Sequence, residues 1–166
     1  MELRPMRQED LTAVARLEAR ICITPWSVGI FRDCLLSGYE GWVFDDAAAG
    51  IVGYGMLSAA AGEAHLLNLG IHEKFRGRGL GHRLTQHLTE RARALGGRVV
   101  FLEVRVSNQL AQSLYKKMGF RQIGVRKGYY RDQHGREDAL VLARRLDADV
   151  QPTSGTLSLR IENEHE

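Results

Sequence analysis

Arg76-Gly77-Arg78-Gly79-Leu80-Gly81 is a glycine-rich loop set between a strand-like segment and a helical one. Residues 63–71 before it read as a strand. After it, Leu80, Leu84, Leu88, Ala92 and Leu95 recur on one helical face until Gly96-Gly97 stops the helix. A helix N-terminus carries unpaired N–H groups and a partial positive charge, and glycines let a ligand come close to that backbone. The loop therefore suits a pyrophosphate, with Arg76, Arg78 and Arg83 adding charge around it. It is not a Walker A loop, because no Gly-Lys-Ser/Thr follows. Nor is it the dinucleotide fingerprint, because the glycines run GxGxG rather than GxGxxG. Taken alone, it reads equally well as a flexible glycine turn.

Toward the N-terminus, residues 2–5 read as a first strand. Leu11, Val14, Ala15, Leu17, Glu18 and Ile21 largely follow a helical stripe over residues 8–22. Pro25-Trp26-Ser27 breaks that helix, and a second runs through Phe31, Leu35 and Leu36 to about Gly38. Trp42-Val43-Phe44, Ile51–Ser58 and Glu63–Ile71 predict an antiparallel meander. Beyond the glycine-loop helix, the apolar run Val99–Val104 predicts a strand buried on both faces. Asn108 caps a helix bearing Leu110, Ala111, Leu114, Tyr115 and Met118, and Gly119 ends it. Phe120–Val125 and Ala139–Leu146 are two closing strands, separated by a polar loop containing Tyr129-Tyr130. The expected architecture is one α/β (α+β) domain over residues 1–146. It has a mixed, mostly antiparallel sheet of about seven strands and about four flanking helices. Residues 147–166 form an extension: a linker, then either an edge strand over 156–162 or a disordered tail.

Composition excludes several classes. The chain has 166 residues, 44% of them hydrophobic, enough for a real core. No stretch approaches a membrane span, and the opening Met1-Glu2-Leu3-Arg4 has an early acid and no apolar region, so a cytoplasmic location is expected. Cys22 and Cys34 read as reduced thiols, and the six histidines show no ligand spacing, so no metal is expected. The net charge of +3 is too small to imply a nucleic-acid partner, and no basic stripe with exposed aromatics is visible.

The downstream segments narrow the reading. Leu102-Glu103-Val104-Arg105-Val106-Ser107-Asn108, followed by Ala111-x-x-Leu114-Tyr115-x-x-x-Gly119-Phe120, resembles the second half of a GNAT acetyltransferase domain. In that light Arg76-x-x-Gly79-x-Gly81 resembles the family's acetyl-CoA pyrophosphate loop, and Asn68-Leu69-Gly70-Ile71 its splayed central strand. Pro25-Trp26-Ser27, Tyr129-Tyr130 and Gly135-Arg136-Glu137-Asp138-Ala139 resemble, within that superfamily, the bacterial ribosomal-protein-alanine N-acetyltransferases. The likeness covers roughly residues 2–146. Arg131 departs from it, standing where a proline is common.

The resemblance implies roles, each beside a plainer reading. Leu69, Gly70 and Ile71 would offer backbone groups to the pantetheine and thioester of acetyl-CoA. Arg76, Gly77, Arg78, Gly79, Leu80, Gly81 and His82 would hold its pyrophosphate, and Asn108 its arm; otherwise Asn108 is a helix cap only. Glu103 would be the general base, with partial burial raising its pKa. Alternatively it is salt-bridged to a neighbouring arginine. Tyr115 would be the general acid at the thioester sulfur, or a core aromatic with a satisfied hydroxyl. Trp26, Tyr129 and Tyr130 would flank the acceptor, or simply pack under two loops; Glu137 and Asp138 read as strand-edge charges. The implied reaction is direct acetyl transfer to a protein α-amino group, most naturally an alanine N-terminus of a ribosomal protein. Two alternatives are a lysine side chain or small amine as acceptor, and a CoA-binding or nucleic-acid-binding module without catalysis. The oligomeric state is left open.

Overall fold

The computed structural model describes residues 1–147. The chain runs β1 (Glu2–Pro5), a 3₁₀ turn (Gln8–Asp10), α1 (Leu11–Ile21), α2 (Val28–Leu36), β2 (Glu40–Asp46), β3 (Gly50–Ala60) and β4 (Glu63–Ile71). A second 3₁₀ turn (Glu73–Phe75) then leads to α3 (Leu80–Ala94), β5 (Val99–Arg105), α4 (Gln109–Lys117), β6 (Arg121–Asp132) and β7 (Gly135–Arg145). The element order matches the one expected. The proposed edge strand over 156–162 lies outside the described residues.

Local chemistry sets the helix starts. The Ser27 hydroxyl accepts from the Ile30 N–H at 3.3 Å to cap α2, and Asn108 Oδ1 accepts from the Ala111 N–H at 3.1 Å to cap α4. Gly79, at φ +76°, turns the chain through the left-handed region into α3, a conformation that disfavours any side chain.

The seven strands form one sheet in the order β1-β2-β3-β4-β5-β7-β6. Every pairing is antiparallel except β4 with β5. A core of Leu84, Leu88, Val100, Leu102 and Tyr115 joins α3 and α4 to one side of the sheet. A second core, with Val14, Leu17, Phe31, Tyr54 and Met56, joins α1 and α2 to it. Together they leave the sheet covered on both faces, as its apolar strands require.

Two irregularities open the middle of the sheet. The parallel pairing of β4 with β5 extends only over Glu63–His65 against Val99–Phe101. Against β3, the register slips between Met56, opposite Asn68, and Leu57, opposite Leu66, so Leu67 is the extra residue of a bulge. Beyond that point β4 and β5 part.

Two expectations need correction. The strand β5 is not buried on both faces: Leu102 and Val104 are buried, whereas Phe101, Glu103 and Arg105 are only half-buried. Of the latter set, Glu103 and Arg105 line the opening left by the splay, whereas Phe101 stacks on His65 where the two strands still pair. Tyr129 and Tyr130 do not sit in a loop. They lie in β6, which pairs with β7 as far as Asp132 opposite Gly135, with register slips at Gln122/Gly124 and Arg126/Tyr130. The polar composition there marks an exposed hairpin arm, whose ladder satisfies the backbone while its side chains meet solvent.

Candidate active site

The parted ends of β4 and β5 leave a cleft of about 680 Å³. Its walls contain Leu69, Gly70, Ile71, Arg76, Gly77, Gly79, Leu80, Gly81, His82, Glu103, Asn108, Tyr115, Trp26 and Tyr130. Fourteen residues singled out from the sequence therefore converge on one space. Two do not line it: Arg78 stands over the Phe75 ring at 4.9 Å, and Tyr129 lies outside the cleft, 45% exposed, under the Arg126 guanidinium at 4.2 Å.

One end of the cleft is made of backbone. The first N–H groups of α3 have no intrahelical acceptor, and the partial positive charge of the helix start is directed there. Arg76 turns back so that its Nε donates to the Ile71 carbonyl at 3.1 Å, fastening the loop to the end of β4. Asn108 spends Oδ1 on capping α4, and its Nδ2 has no protein partner among the described residues. These groups fit a phosphate-bearing ligand with a polar, extended arm.

At the centre stand Glu103, Tyr115 and Tyr130. Arg126 Nη1 donates to Glu103 Oε1 at 3.2 Å, so the arginine pairing weighed above exists; Oε2 has no protein partner among the described residues. Tyr115 is 7% exposed, and burial pushes its phenol up to about 12. Its ring packs edge-on against Phe120 at 5.6 Å. No described residue hydrogen-bonds its hydroxyl, yet that oxygen is not sealed from solvent. The hydroxyl is thus free to meet either solvent or a ligand in the cleft. Burial and the Glu103 carboxylate push the Tyr130 phenol up to about 12 as well.

The other end is built from side chains distant in sequence. Arg105 Nη1 donates to Glu137 at 3.1 Å and Nη2 to the Thr24 hydroxyl at 2.9 Å, and its guanidinium lies 4.2 Å over the Tyr130 ring. Thr24 in turn donates to the Arg131 carbonyl at 3.2 Å. The α1–α2 loop is thereby tied to the β6–β7 hairpin. Glu137 also accepts from the Ser107 N–H at 2.7 Å, and Asp138 from the Gly128 N–H at 2.8 Å, so both acids brace the hairpin. Cys22 faces the cleft, but burial and the Glu18 carboxylate push its thiol up to about 12, far from a nucleophilic thiolate.

Sequence reasoning missed three residues of this end. Thr24 and Arg105 carry no local signal, because their partners lie far along the chain. Glu18 did leave one: an acid on the apolar stripe of α1. It is 1% exposed and lies at the floor of the cleft, where Tyr54, Asn68, Cys22 and the Trp26 N–H all donate to it.

The Acetyltransferase (GNAT) family model matches residues 6–120. The Escherichia coli (strain K12) ribosomal protein bS18-alanine N-acetyltransferase is 31% identical over 134 residues, covering 81% of this chain and 90% of its own length. The Mycobacterium tuberculosis N-alpha-acetyltransferase RimI is 33% identical over 132 residues, covering 76% and 82%. The crystal structure of the Escherichia coli ribosomal-protein-S18-alanine N-acetyltransferase superposes with a TM-score of 0.81 at 27% identity, over 95% of this chain and 98% of that one. The bulged, splayed sheet, the glycine loop at the start of α3 and these relatives agree: the chain belongs to the GNAT family and is an acetyl-CoA-dependent N-acetyltransferase.

Proposed function

We propose that the chain transfers the acetyl group of acetyl-CoA to the α-amino group of an alanine N-terminus on a ribosomal protein, by direct attack within a ternary complex. One observation carries the reading: a single cleft joins the glycine loop to Glu103 and the unpartnered hydroxyl of Tyr115. The relatives that act on bS18 support the choice of acceptor. A ribosomal acceptor places the reaction in the cytoplasm, and no helix among the described residues is long and apolar enough to cross a membrane. The chemistry needs no metal.

Backbone does most of the donor binding. Residues Gly77–His82 receive the pyrophosphate with Arg76, Asn108 holds the arm, and the free edge of β4 at Leu69–Ile71 meets the pantetheine. An N–H of that edge stabilises the oxyanion as the amine adds to the thioester carbonyl. Arg78, displaced over Phe75, contributes charge rather than a direct contact.

Attack requires a neutral amine, and an α-amino group has a pKa of about 7.7–8.0, well below the lysine value of about 10.4. A modest base suffices. Glu103 takes the proton on Oε2 while Arg126 holds Oε1. As the new C–N bond forms and the C–S bond breaks, Tyr115 gives its proton to the departing sulfur. Its raised pKa keeps that proton in place at working pH. Trp26 and Tyr130 flank the incoming N-terminus, and Tyr129 shapes the rim outside them. Glu103 and Glu137 are each matched by an arginine, and Glu18, at 1% exposure, is engaged by four protein donors, an arrangement that favours a peptide end over a small cationic amine.

The test is CoA release from acetyl-CoA with peptides beginning Ala, Ser, Met and Gly, an N-blocked lysine peptide and a polyamine. Acetylation of the free Ala-type N-terminus, and none of the blocked peptide, is expected. Activity confined to the lysine peptide or polyamine overturns the α-amino reading and leaves the family intact.

A further inference from the structure

Glu18 is buried in the second core, beneath the acceptor end of the cleft, and the roles above make no use of it. Its Oε1 accepts from the Tyr54 hydroxyl at 2.8 Å and from the Cys22 thiol; its Oε2 accepts from the Trp26 N–H at 3.4 Å and from Asn68 Nδ2. Burial and the Glu18 charge raise both the Tyr54 phenol and the Cys22 thiol, so each keeps its proton and acts as donor.

Burying a carboxylate is costly, and packing alone is better served by an apolar side chain of similar size. The four donors indicate what the carboxylate does instead. Cys22 and Trp26 bracket the α1–α2 loop. Asn68 stands at the bulge from which β4 departs from β5. Tyr54 reaches from β3 and stands directly behind Gly70. A Cβ on Gly70 would collide with the Tyr54 hydroxyl and would lie 2.6 Å from Ile21 Cδ1. One carboxylate thus holds the loop on one side of the acceptor gap and the reacting edge of β4 on the other.

We propose that Glu18 is a positioning residue for acetyl transfer: through Asn68 and the Trp26 amide it fixes the gap between the bulged strand and the acceptor loop. Glu18 touches neither the glycine loop nor the α3 N-terminus, so donor binding is independent of it. The proposal rests on the acetyl-transfer reading above.

The Glu18→Gln substitution replaces an oxygen acceptor with an amide that faces donors with donors. In the full chain, kcat/KM for the panel acceptor that wild type uses fastest is expected to fall at least roughly 30-fold, since misplacements of about 1 Å can cost 10²-fold. The Kd for acetyl-CoA, by calorimetry, is expected to stay within about 3-fold of wild type, about 0.65 kcal/mol by the tenfold-per-1.4 rule. Asp10→Asn is the control, a buried acid paired with Arg4 and outside this cluster, and it leaves kcat/KM within about 2-fold. A Glu18→Gln enzyme with unchanged kcat/KM overturns the proposal; so does one that loses acetyl-CoA affinity by the same factor as rate. Should Glu18→Gln fail to fold, Asn68→Ala carries the same test. A loss of about 10-fold or more in kcat with acetyl-CoA binding retained supports the proposal, and an unchanged kcat overturns it. A wild-type enzyme inactive on every α-amino peptide counts against the proposed acceptor, whereas an active wild type with an equally active Glu18→Gln counts against Glu18 alone.

Discussion

The two ends of the cleft are made differently. The donor end is mainly main chain: the start of α3, the free edge of β4, and a loop turned by Gly79 and fastened by Arg76 to the Ile71 carbonyl. The acceptor end is mainly side chain: Thr24, Arg105, Glu137 and Tyr130 outside, and Glu18 with its four donors beneath. A main-chain site recognises what every acetyl-CoA has in common and tolerates changes of side chain. A side-chain site can be retuned residue by residue, and acceptor choice is where members of one family differ.

That contrast predicts where substitutions hurt. The largest effect is expected from Glu103→Gln, about 10²–10⁴-fold in kcat/KM. Without the base, only the free amine reacts, so the loss is greatest below about pH 8, and the mutant rate rises with pH through the α-amine pKa of about 7.7–8.0. Steady-state rates between pH 6 and 9 check this; an unchanged pH profile removes Glu103 as the base. Next is Tyr115→Phe, expected to slow turnover about 10²-fold with acetyl-CoA binding retained. Because burial moves this phenol up to about 12, its acid form persists across the working range. The alkaline limb of wild-type kcat below about pH 10 is therefore not due to Tyr115 and should look the same in the variant. If binding collapses instead, Tyr115 is structural.

Smaller effects fall on stability. Gly70→Ala forces a Cβ onto the Tyr54 hydroxyl and Ile21, at an expected cost of about 1–3 kcal/mol. Adding Tyr54→Phe removes the nearest clashing atom but keeps the ring carbon at 2.6 Å, so the two substitutions should couple, which denaturant unfolding of the single and double variants would read. Strict additivity would mean the clash is relieved elsewhere. The smallest change is Asp10→Asn, about 1 kcal/mol, because Arg4 keeps Asp45 as a second partner. The Arg4 guanidinium holds the Asp10 carboxyl below its ordinary value, so the pair's contribution is complete above the usual carboxylate range and disappears as pH falls through the depressed value. The difference in Tm between wild type and variant should thus be present at pH 7 and shrink in acid; a difference that grows in acid contradicts this pairing.

The same contrast decides what was legible in the sequence. Glycine spacing and the apolar stripe of α3 are local, so the donor end could be read from residues 76–95. The bonds of the acceptor end close over 81 residues between Thr24 and Arg105 and over 107 between Thr24 and Arg131, and no local pattern encodes such pairs. The hairpin arm around Tyr129 and Tyr130 reads as a loop in the sequence because its charged side chains face solvent, although β6 pairs with β7 on either side of a slip over 127–129. Glu18 lay in plain view on the α1 stripe, but an acid at such a position acquires meaning only when its donors are known.

The most direct experiment locates the acetyl group itself. The unacetylated ribosomal protein bS18 and acetyl-CoA would be incubated with the enzyme and the product fragmented by mass spectrometry. One acetyl group is expected on the α-nitrogen of the first residue, with every lysine side chain unmodified. Acetyl groups on lysine side chains with a free N-terminus would contradict it.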